Sequence, residues 1–96
     1  MVELHRDGSE TQWPFSSDVF KIGRDRACDL KTGGWIFAPR VAAEIERGRD
    51  GYRLVPHRGG KVVLKQQRIH SPELLLDGDE FSVRGTAMRF VHRVSG

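Results

Sequence analysis

Tight-turn signals recur along this chain at short intervals, and they constrain its fold more than any other feature. Each signal is a pair of residues that contains glycine, often beside aspartate or a second glycine, and such pairs supply the backbone angles that tight turns require. In chain order the pairs are Asp7-Gly8, Gly33-Gly34, Asp50-Gly51, Gly59-Gly60, Asp77-Gly78 and Arg84-Gly85. Short apolar segments separated by turns every ~8–12 residues are typical of a β-sandwich or β-barrel, and they leave little room for a helix.

The segments between the turns have the composition of short strands. Their apolar residues alternate with polar ones or form compact β-branched runs, as half-buried and buried strands do. In chain order the predicted strands surround Leu4, Phe15, Phe20, Ile36, Ile45, Leu54, Val63, Leu75, Phe81 and Phe90. Pro14 lies within the second of them and predicts an edge strand, because proline cannot donate to a β-ladder. The residues that we expect to be largely buried are Trp35, Ile45, Leu54, Phe81 and Phe90.

A short helix over residues 41–47 is an alternative for one of these segments. Ala42, Ala43 and Glu44 are good helix formers. The apolar spacing in this segment is short for a helix, however, and the Asp50-Gly51 pair behind it is a strong hairpin signal. We therefore favour a strand.

Length and cysteine content limit how the chain is organised. The 96 residues suffice for one domain, which we expect to span residues 1–96. The single cysteine, Cys28, cannot form an internal disulfide, which favours a reducing compartment and hence the cytoplasm. Residues 1–5 lack the basic start and apolar stretch of a signal peptide, and apolar runs such as 74–76 are far shorter than the roughly 20 residues of a spanning helix. We expect no membrane insertion.

No catalytic or metal-binding pattern stands out in the sequence. The histidines lack the spacing of metal ligands, both among themselves and with Cys28. They are His5, His57, His70 and His92. No nucleophile elbow or pair of catalytic carboxylates is present. We therefore expect a protein that is not an enzyme and that has no metal and no cofactor.

The charge balance is mildly basic. Lysine and arginine total 16 against 13 for aspartate and glutamate, which gives a formal net charge of +3. Most of the basic residues are arginine, whose planar guanidinium group suits bidentate recognition of phosphate or carboxylate. The excess is compatible with an ordinary solvated surface or with an anionic partner, and charge alone does not decide between them.

The order of several motifs resembles that of the forkhead-associated (FHA) domain family, over residues 2–92. The family has a strand ending in Ile-Gly-Arg, then a Ser-Arg-x-His-Ala-x-Ile block with a strand after it, and later a Gly-Asp turn before an alternating strand and a terminal strand. The corresponding segments here are Phe20-Lys21-Ile22-Gly23-Arg24 with Cys28-Asp29-Leu30 behind it, Pro39-Arg40-Val41-Ala42-Ala43-Glu44-Ile45, Gly51-Tyr52-Arg53-Leu54, Leu76-Asp77-Gly78-Asp79-Glu80-Phe81-Ser82-Val83 and Met88-Arg89-Phe90.

This resemblance implies an all-β fold, an FHA-like β-sandwich of two antiparallel sheets that serves as an intracellular protein–protein interaction module. In the family, loops at one end of the sandwich bind the partner, and here they would be residues 23–30, 38–41 and 56–61. These loops carry the cations that we predict to bind a phosphopeptide or other protein partner, namely Arg24, Arg40, Arg58 and Lys61. Such domains are usually fused to others, which implies one module of a larger signalling or secretion-associated protein.

The chain departs from the family at the phosphothreonine pocket. Pro39 stands at the position of a serine that contacts the phosphate, and Ala42 at that of a structural histidine. The later loop, which contains an asparagine in the family, is represented only by residues 57–61 and looks shortened. A hydrogen bond to a charged group is worth about 1.5–3 kcal/mol, so losing the serine and asparagine contacts would remove ~3–6 kcal/mol. We therefore expect weak binding that depends mainly on charge.

Two other functions remain open at this point. A degenerate FHA fold could serve as a scaffold or assembly domain that binds no phosphopeptide. A small β-barrel could bind single-stranded nucleic acid if Trp13, Trp35 and Tyr52 were exposed to stack on bases. The alternating pattern places most aromatic residues in the core, which disfavours nucleic acid as the partner. The sequence sets neither the identity of the partner nor the oligomeric state.

Overall fold

The described part of the chain is built from strands. The structure, a computed structural model, describes residues 2–6, 12–15, 17–32 and 38–92, and within these ranges it contains no helix. The strands are β1 (Val2–Arg6), β2 (Gln12–Phe15), β3 (Val19–Gly23), β4 (Leu30–Lys31), β5 (Ala43–Gly48), β6 (Gly51–Pro56), β7 (Val62–Leu64), β8 (Gln67–Arg68), β9 (Glu73–Leu75), β10 (Glu80–Val83) and β11 (Thr86–His92). The all-β prediction is confirmed.

The strands form two sheets that pack around one core. The first sheet has the order β2-β1-β11-β10-β7-β8, and the second has the order β4-β3-β5-β6-β9. Neighbouring strands are antiparallel except for β3 and β4, which run parallel with Ile22 beside Leu30. The predicted sandwich of two antiparallel sheets is therefore confirmed, with one parallel pair at an edge. The strand that contains Pro14 lies at the edge of the first sheet, as predicted.

The core draws on both sheets. Phe81 and Phe90 from the first sheet belong to the same buried cluster as Ile45 and Leu54 from the second. All four side chains are at most 3% exposed, which confirms their prediction as core residues. The remaining core prediction, Trp35, lies outside the described residues. Burying a large apolar side chain contributes about 1.5–3 kcal/mol, so this cluster is the main source of the stability of the sandwich.

β5 follows the period of a strand. Ala43 and Ile45 are fully buried, whereas Glu46 is exposed. β5 is hydrogen-bonded to β3 on one side and to β6 on the other, and Arg49 and Asp50 close the predicted hairpin. The helix alternative for residues 41–47 is therefore wrong. On a strand, the alternating pattern directs the apolar side chains of this segment to the core, and the two neighbouring strands complete its backbone hydrogen bonding.

The short strands β4 and β8 have no signal in the sequence. β8 follows β7 through a turn at Lys65 and Gln66, whose φ angles are 51° and 69°. Positive φ is uncommon in residues other than glycine, so a lysine followed by a glutamine does not predict a turn in the sequence. By contrast, the turn predicted at Arg84-Gly85 is present, with φ angles of 48° and 84°.

The strand registers bring several connections to one end of the sandwich, which we call the loop end. Ala43 lies opposite Ile22 on one side and Pro56 on the other, so the loops that follow β3 and β6 adjoin the segment that precedes β5. Val83 lies opposite Val62, which brings the β10–β11 turn to the same end. The connections at the loop end are residues 24–29, 38–42, 57–61, 69–72 and 84–85, and those at the opposite end include 49–50, 65–66 and 76–79.

Candidate functional site

Gly23 brings the first loop of the loop end against the second. It is the last residue of β3, so the first loop covers residues 24–29 instead of the predicted 23–30. A Cβ atom on Gly23 would collide with the backbone carbonyl oxygen of Arg40. Only glycine therefore permits this approach between the two loops.

Backbone carbonyl groups of the second loop fix the first loop. The Nε of Arg24 donates a hydrogen bond of 2.7 Å to the carbonyl oxygen of Ala38. The amide of Asp25 donates one of 3.1 Å to the carbonyl oxygen of Arg40, and the Sγ of Cys28 lies 3.4 Å from that same oxygen. Arg24 and Arg40 are both exposed, so two loops that are held together each present an arginine to solvent.

A backbone hydrogen bond and the positive charges of both arginines affect the pKa of the Asp25 carboxyl. Its Oδ1 accepts a hydrogen bond of 2.9 Å from the amide of Ala27. This hydrogen bond lowers the pKa of the Asp25 carboxyl, partial burial opposes the shift, and the positive charges of Arg40, Arg24 and Lys21 lower it further. The hydrogen bonds between the first and second loops, together with this effect on one carboxylate, bring the predicted residues Arg24 and Arg40 to one place at the loop end.

The third loop, residues 57–61, is anchored on Ala42. The amide of His57 donates a hydrogen bond of 3.0 Å to the carbonyl oxygen of Ala42, which is fully buried. A Cβ atom on Gly60 would collide with that same oxygen, so glycine is needed here for close approach. Ala42, at the position of the family's structural histidine, therefore joins the second and third loops through its backbone carbonyl group.

Arg84, in the turn between β10 and β11, holds the third loop in place. Its amide donates a hydrogen bond of 3.0 Å to the carbonyl oxygen of Gly60, and its Nη1 donates one of 2.6 Å to the carbonyl oxygen of Gly59. On the side of the second loop, a Cβ atom on Gly59 would lie 3.6 Å from Cδ of Pro39. Sequence reasoning marks Arg84 only as a turn residue, since its contacts depend on how non-adjacent segments are brought together.

Arg58 and Lys61 form a second group of cations at the loop end. Both are exposed on the third loop. They line a cavity of about 330 Å³, whereas Arg24 and Arg40 do not line it. The four predicted binding residues therefore share one end of the sandwich but fall into two groups, one around Asp25 and one around this cavity.

The two ends of the sandwich differ in charge. At the opposite end, ion pairs join Arg53 to Asp50, Lys65 to Asp79 and Arg89 to Glu80, at 3.7, 3.6 and 3.2 Å. At the loop end, no carboxylate of the described residues lies within ion-pair distance of Arg40, Arg58 or Lys61. The connections at the loop end carry six lysine or arginine residues and two aspartates, whereas connections 49–50, 65–66 and 76–79 at the opposite end carry two and three. The loop end is therefore the more electropositive of the two.

Neither a metal site nor a membrane span is found in the part of the chain that the structure describes. No group of His, Cys, Asp or Glu side chains in that part is arranged to hold a metal ion. Among the same residues, no helix is long and apolar enough to cross a membrane.

Comparisons with known proteins point to one fold. No protein-family model matches the chain, and no curated protein is significantly similar to it in sequence. Several solved structures are similar in fold. EmbR of Mycobacterium tuberculosis, in complex with a low-affinity phosphopeptide, matches with a TM-score of 0.85 and 23% identity, over 99% of this chain and 26% of the EmbR chain.

Two of the others are isolated FHA domains. The N-terminal FHA domain of Saccharomyces cerevisiae Rad53, in complex with a phosphothreonine peptide, matches with a TM-score of 0.82 and 22% identity, over 96% of this chain and 93% of that one. An FHA domain from a study of phosphothreonine-dependent interactions matches with a TM-score of 0.84 and 17% identity, over 98% of both chains. The chain thus spans about a quarter of EmbR and nearly the whole of two single domains. It has the fold of the forkhead-associated domain.

Proposed function

We propose that this chain is an FHA-type protein-interaction module that binds acidic or phosphorylated peptides at its loop end. The observation that carries the proposal is the junction at Arg40, where the first and second loops are bonded together and two guanidinium groups act on one carboxylate. Phosphopeptides are the partners in the matched structures of EmbR and Rad53. Paired arginines suit such a ligand because each can form short, charge-assisted hydrogen bonds to phosphate oxygens.

The proposed role needs no catalytic group, and we assign no enzymatic activity to this domain. The partial coverage of EmbR supports the proposal that the domain is one module of a larger protein. The unpaired thiol of Cys28 supports a reducing compartment such as the cytoplasm.

Binding should be weaker than in an intact phosphothreonine pocket. Pro39 has neither a hydroxyl group nor a backbone amide hydrogen to donate to a phosphate. Gly60, packed on the carbonyl of Ala42, has no side chain that could replace the family's asparagine. Affinity would then come mostly from Arg24 and Arg40, so it should fall with rising salt, as interactions between exposed charges do. We expect little preference for phosphothreonine over phosphoserine, because with Pro39 in place of the family's serine, binding should depend more on charge than on the threonine methyl group.

Peptide titration tests the proposal. We would compare matched peptides that carry phosphothreonine, phosphoserine, glutamate or serine at one position, at two salt concentrations, by fluorescence anisotropy. Arg40→Ala is the informative variant, because the loop contacts of Arg40 are made by its carbonyl group, which the substitution retains. Arg49→Ala is the matched control, since Arg49 is also exposed but lies at the opposite end.

We expect Arg40→Ala to weaken binding of the charged peptides by about tenfold or more, as the loss of a charge-assisted hydrogen bond predicts. Arg49→Ala should leave binding unchanged. Tight, salt-insensitive binding that is specific for phosphothreonine would contradict the argument from the altered pocket. If no charged peptide binds, the degenerate scaffold would be the surviving alternative.

Nucleic acid is the less favoured ligand. Of the three aromatic residues that could stack on bases, Tyr52 packs its ring against Phe90, with the ring centroids 5.4 Å apart. The side chain of Trp13 and the whole of Trp35 lie outside the described part of the structure. A single-stranded oligonucleotide that bound more tightly than every peptide in the titration would reverse this preference.

A further inference from the structure

A basic hollow lies beside the third loop, apart from the junction of Arg24 and Arg40. It is the cavity of about 330 Å³, and its cationic lining consists of Arg58 and Lys61 from the third loop and Arg68 from β8. His57 and His70 also line it. No carboxylate of the described residues is part of the lining, and none lies within ion-pair distance of the three cations.

The backbone next to the cations of the hollow is fixed by strand pairing and a hydrogen bond. Arg68 lies opposite Val63 in the β7–β8 pair, and the amide of Ile69 donates a hydrogen bond of 3.0 Å to the carbonyl oxygen of Val62. Lys61 adopts a φ of 48° directly before β7. Arg68 therefore lies on one strand of a short hairpin and Lys61 directly before the other strand, which limits how far their backbones can separate.

The charges around the hollow favour an anion. Cations that share one cavity repel each other, and an anionic group would relieve that repulsion as well as accept hydrogen bonds from the guanidinium and ammonium groups. Glu44 on β5 contacts one of the lining residues, since its Oε1 lies 3.2 Å from the Nε2 of His57. This carboxylate contacts the histidine, and among the described residues Arg58, Lys61 and Arg68 have no acidic partner within ion-pair distance.

We propose that the basic hollow binds a second anionic group of the same ligand, so that the partner is a peptide with two separated negative groups. This inference rests on the proposed function. The third loop joins the two sites, because Gly59 approaches Pro39 of the second loop and also lines the hollow together with Arg58 and Lys61. A peptide that crosses this loop brings one group to Arg40 and the other to Arg68. Once the first group is bound, the second binds at a high effective concentration, which raises the overall affinity.

The shared chemistry of the second group is an anionic oxygen, from either a phosphate or a carboxylate. A peptide series distinguishes the two sources. Each peptide carries one phosphoserine, and a second phosphoserine, a glutamate or the neutral control glutamine is placed two to five residues from it, on either side. The proteins compared are the wild type, Arg68→Gln, Arg40→Ala and the control Arg49→Gln. Dissociation constants and NMR chemical-shift changes at residues 57–61 and 68–70 are measured for each.

We expect the second anionic group to tighten binding of the wild type by about tenfold at its best spacing. Arg68→Gln should abolish that gain and the shift changes at residues 68–70, and leave the binding of the singly phosphorylated peptide unchanged. Arg49→Gln should retain the gain. Because Arg68 is exposed on a short edge strand, its replacement should keep the fold, which a thermal melt of each variant verifies.

An equal gain in the wild type and in Arg68→Gln would overturn the inference, since the second group would then act through nonspecific attraction. The inference is also overturned if a single-stranded oligonucleotide occupies the hollow more tightly than every doubly charged peptide. Failure of the proposed function looks different: Arg40→Ala would then leave the binding of the singly phosphorylated peptide unchanged.

Discussion

The backbone amide of Asp25 donates a hydrogen bond of 3.1 Å to the carbonyl oxygen of Arg40, while the carboxylate of the same residue accepts one from the amide of Ala27. One residue therefore fixes the internal shape of the first loop and its attachment to the second. The attachment of the first loop to Arg40 thus depends on the ionisable side chain of Asp25, and we expect the stability of this attachment to vary with pH.

Acid should weaken this attachment. The pKa of Asp25 is lowered from 3.8, chiefly by the hydrogen bond from Ala27. A group with a lowered pKa in the folded state contributes stability that is present above its unfolded-state pKa and is lost as the pH falls through the folded-state value. Asp25→Asn keeps an oxygen acceptor for Ala27 but removes the charge. We expect the variant to lose less stability than the wild type below pH 3.8, in urea titrations across a pH series. Parallel pH profiles for the two proteins would contradict this role.

Gly60→Ala should strongly destabilise the domain. The new methyl group would meet the carbonyl oxygen of Ala42, a backbone atom that also accepts the amide hydrogen of His57 and cannot move freely. Overpacking of this kind costs about 1–3 kcal/mol, and each kcal/mol lowers the melting temperature of so small a domain by roughly 4–8 °C. Gly48→Ala is the control, because the nearest atom to its Cβ position is the carbonyl oxygen of Gly51 at 3.7 Å. Equal melting temperatures for the two variants would refute the close approach.

Truncating Phe90 should cost more than any surface change. Its side chain is fully buried and its ring lies 5.4 Å from that of Tyr52. Phe90→Ala should lower the free energy of unfolding by about 3–5 kcal/mol, because it removes buried apolar surface and leaves a cavity. Leu76→Ala is a suitable comparison, since Leu76 is 55% exposed and should tolerate truncation. If Phe90→Ala melted within a few degrees of the wild type, Phe90 would not be a core residue.

The thiol of Cys28 should be unreactive in the folded protein. Burial raises its pKa, so the nucleophilic thiolate is scarce near neutral pH, and only 5% of the residue is exposed. Labelling with a thiol-reactive reagent should be slow in native buffer and should accelerate when guanidinium unfolds the chain. Rapid stoichiometric labelling of the native protein would show that the first loop opens readily.

Most of the fold follows from local features of the sequence. The hairpin at Asp50-Gly51 and the alternation of Ala43 and Ile45 involve residues close together in the chain. Their backbone conformation and burial can therefore be predicted from the local sequence pattern. The β7–β8 turn is different: Lys65 and Gln66 adopt left-handed backbone angles that their side chains do not favour, and only the surrounding structure imposes them.

The candidate site is less accessible to sequence reasoning. The resemblance to FHA domains places Arg24, Arg40, Arg58 and Lys61 at one end, and the structure has them there, although their role in binding stays a prediction. The role of Arg84 could not be predicted, since its hydrogen bond to Gly59 joins positions 25 residues apart in the chain. The position of Arg68 could not be predicted either, since it depends on the β7–β8 hairpin, whose turn has no signal in the sequence. A glycine such as Gly60 signals a turn in sequence, but its need for close approach to Ala42 emerges only when two loops are packed together.

The unequal charge of the two ends of the sandwich gives the molecule an electric dipole. Arg53, Lys65 and Arg89 toward the opposite end are in ion pairs, whereas Arg40, Arg58 and Lys61 at the loop end have no carboxylate partner among the described residues. An approaching anionic peptide is therefore turned toward the loop end before contact, within about a Debye length of the surface. Ionic strength consequently acts mainly on the rate of encounter, and the lifetime of the complex is set by the hydrogen bonds formed after docking.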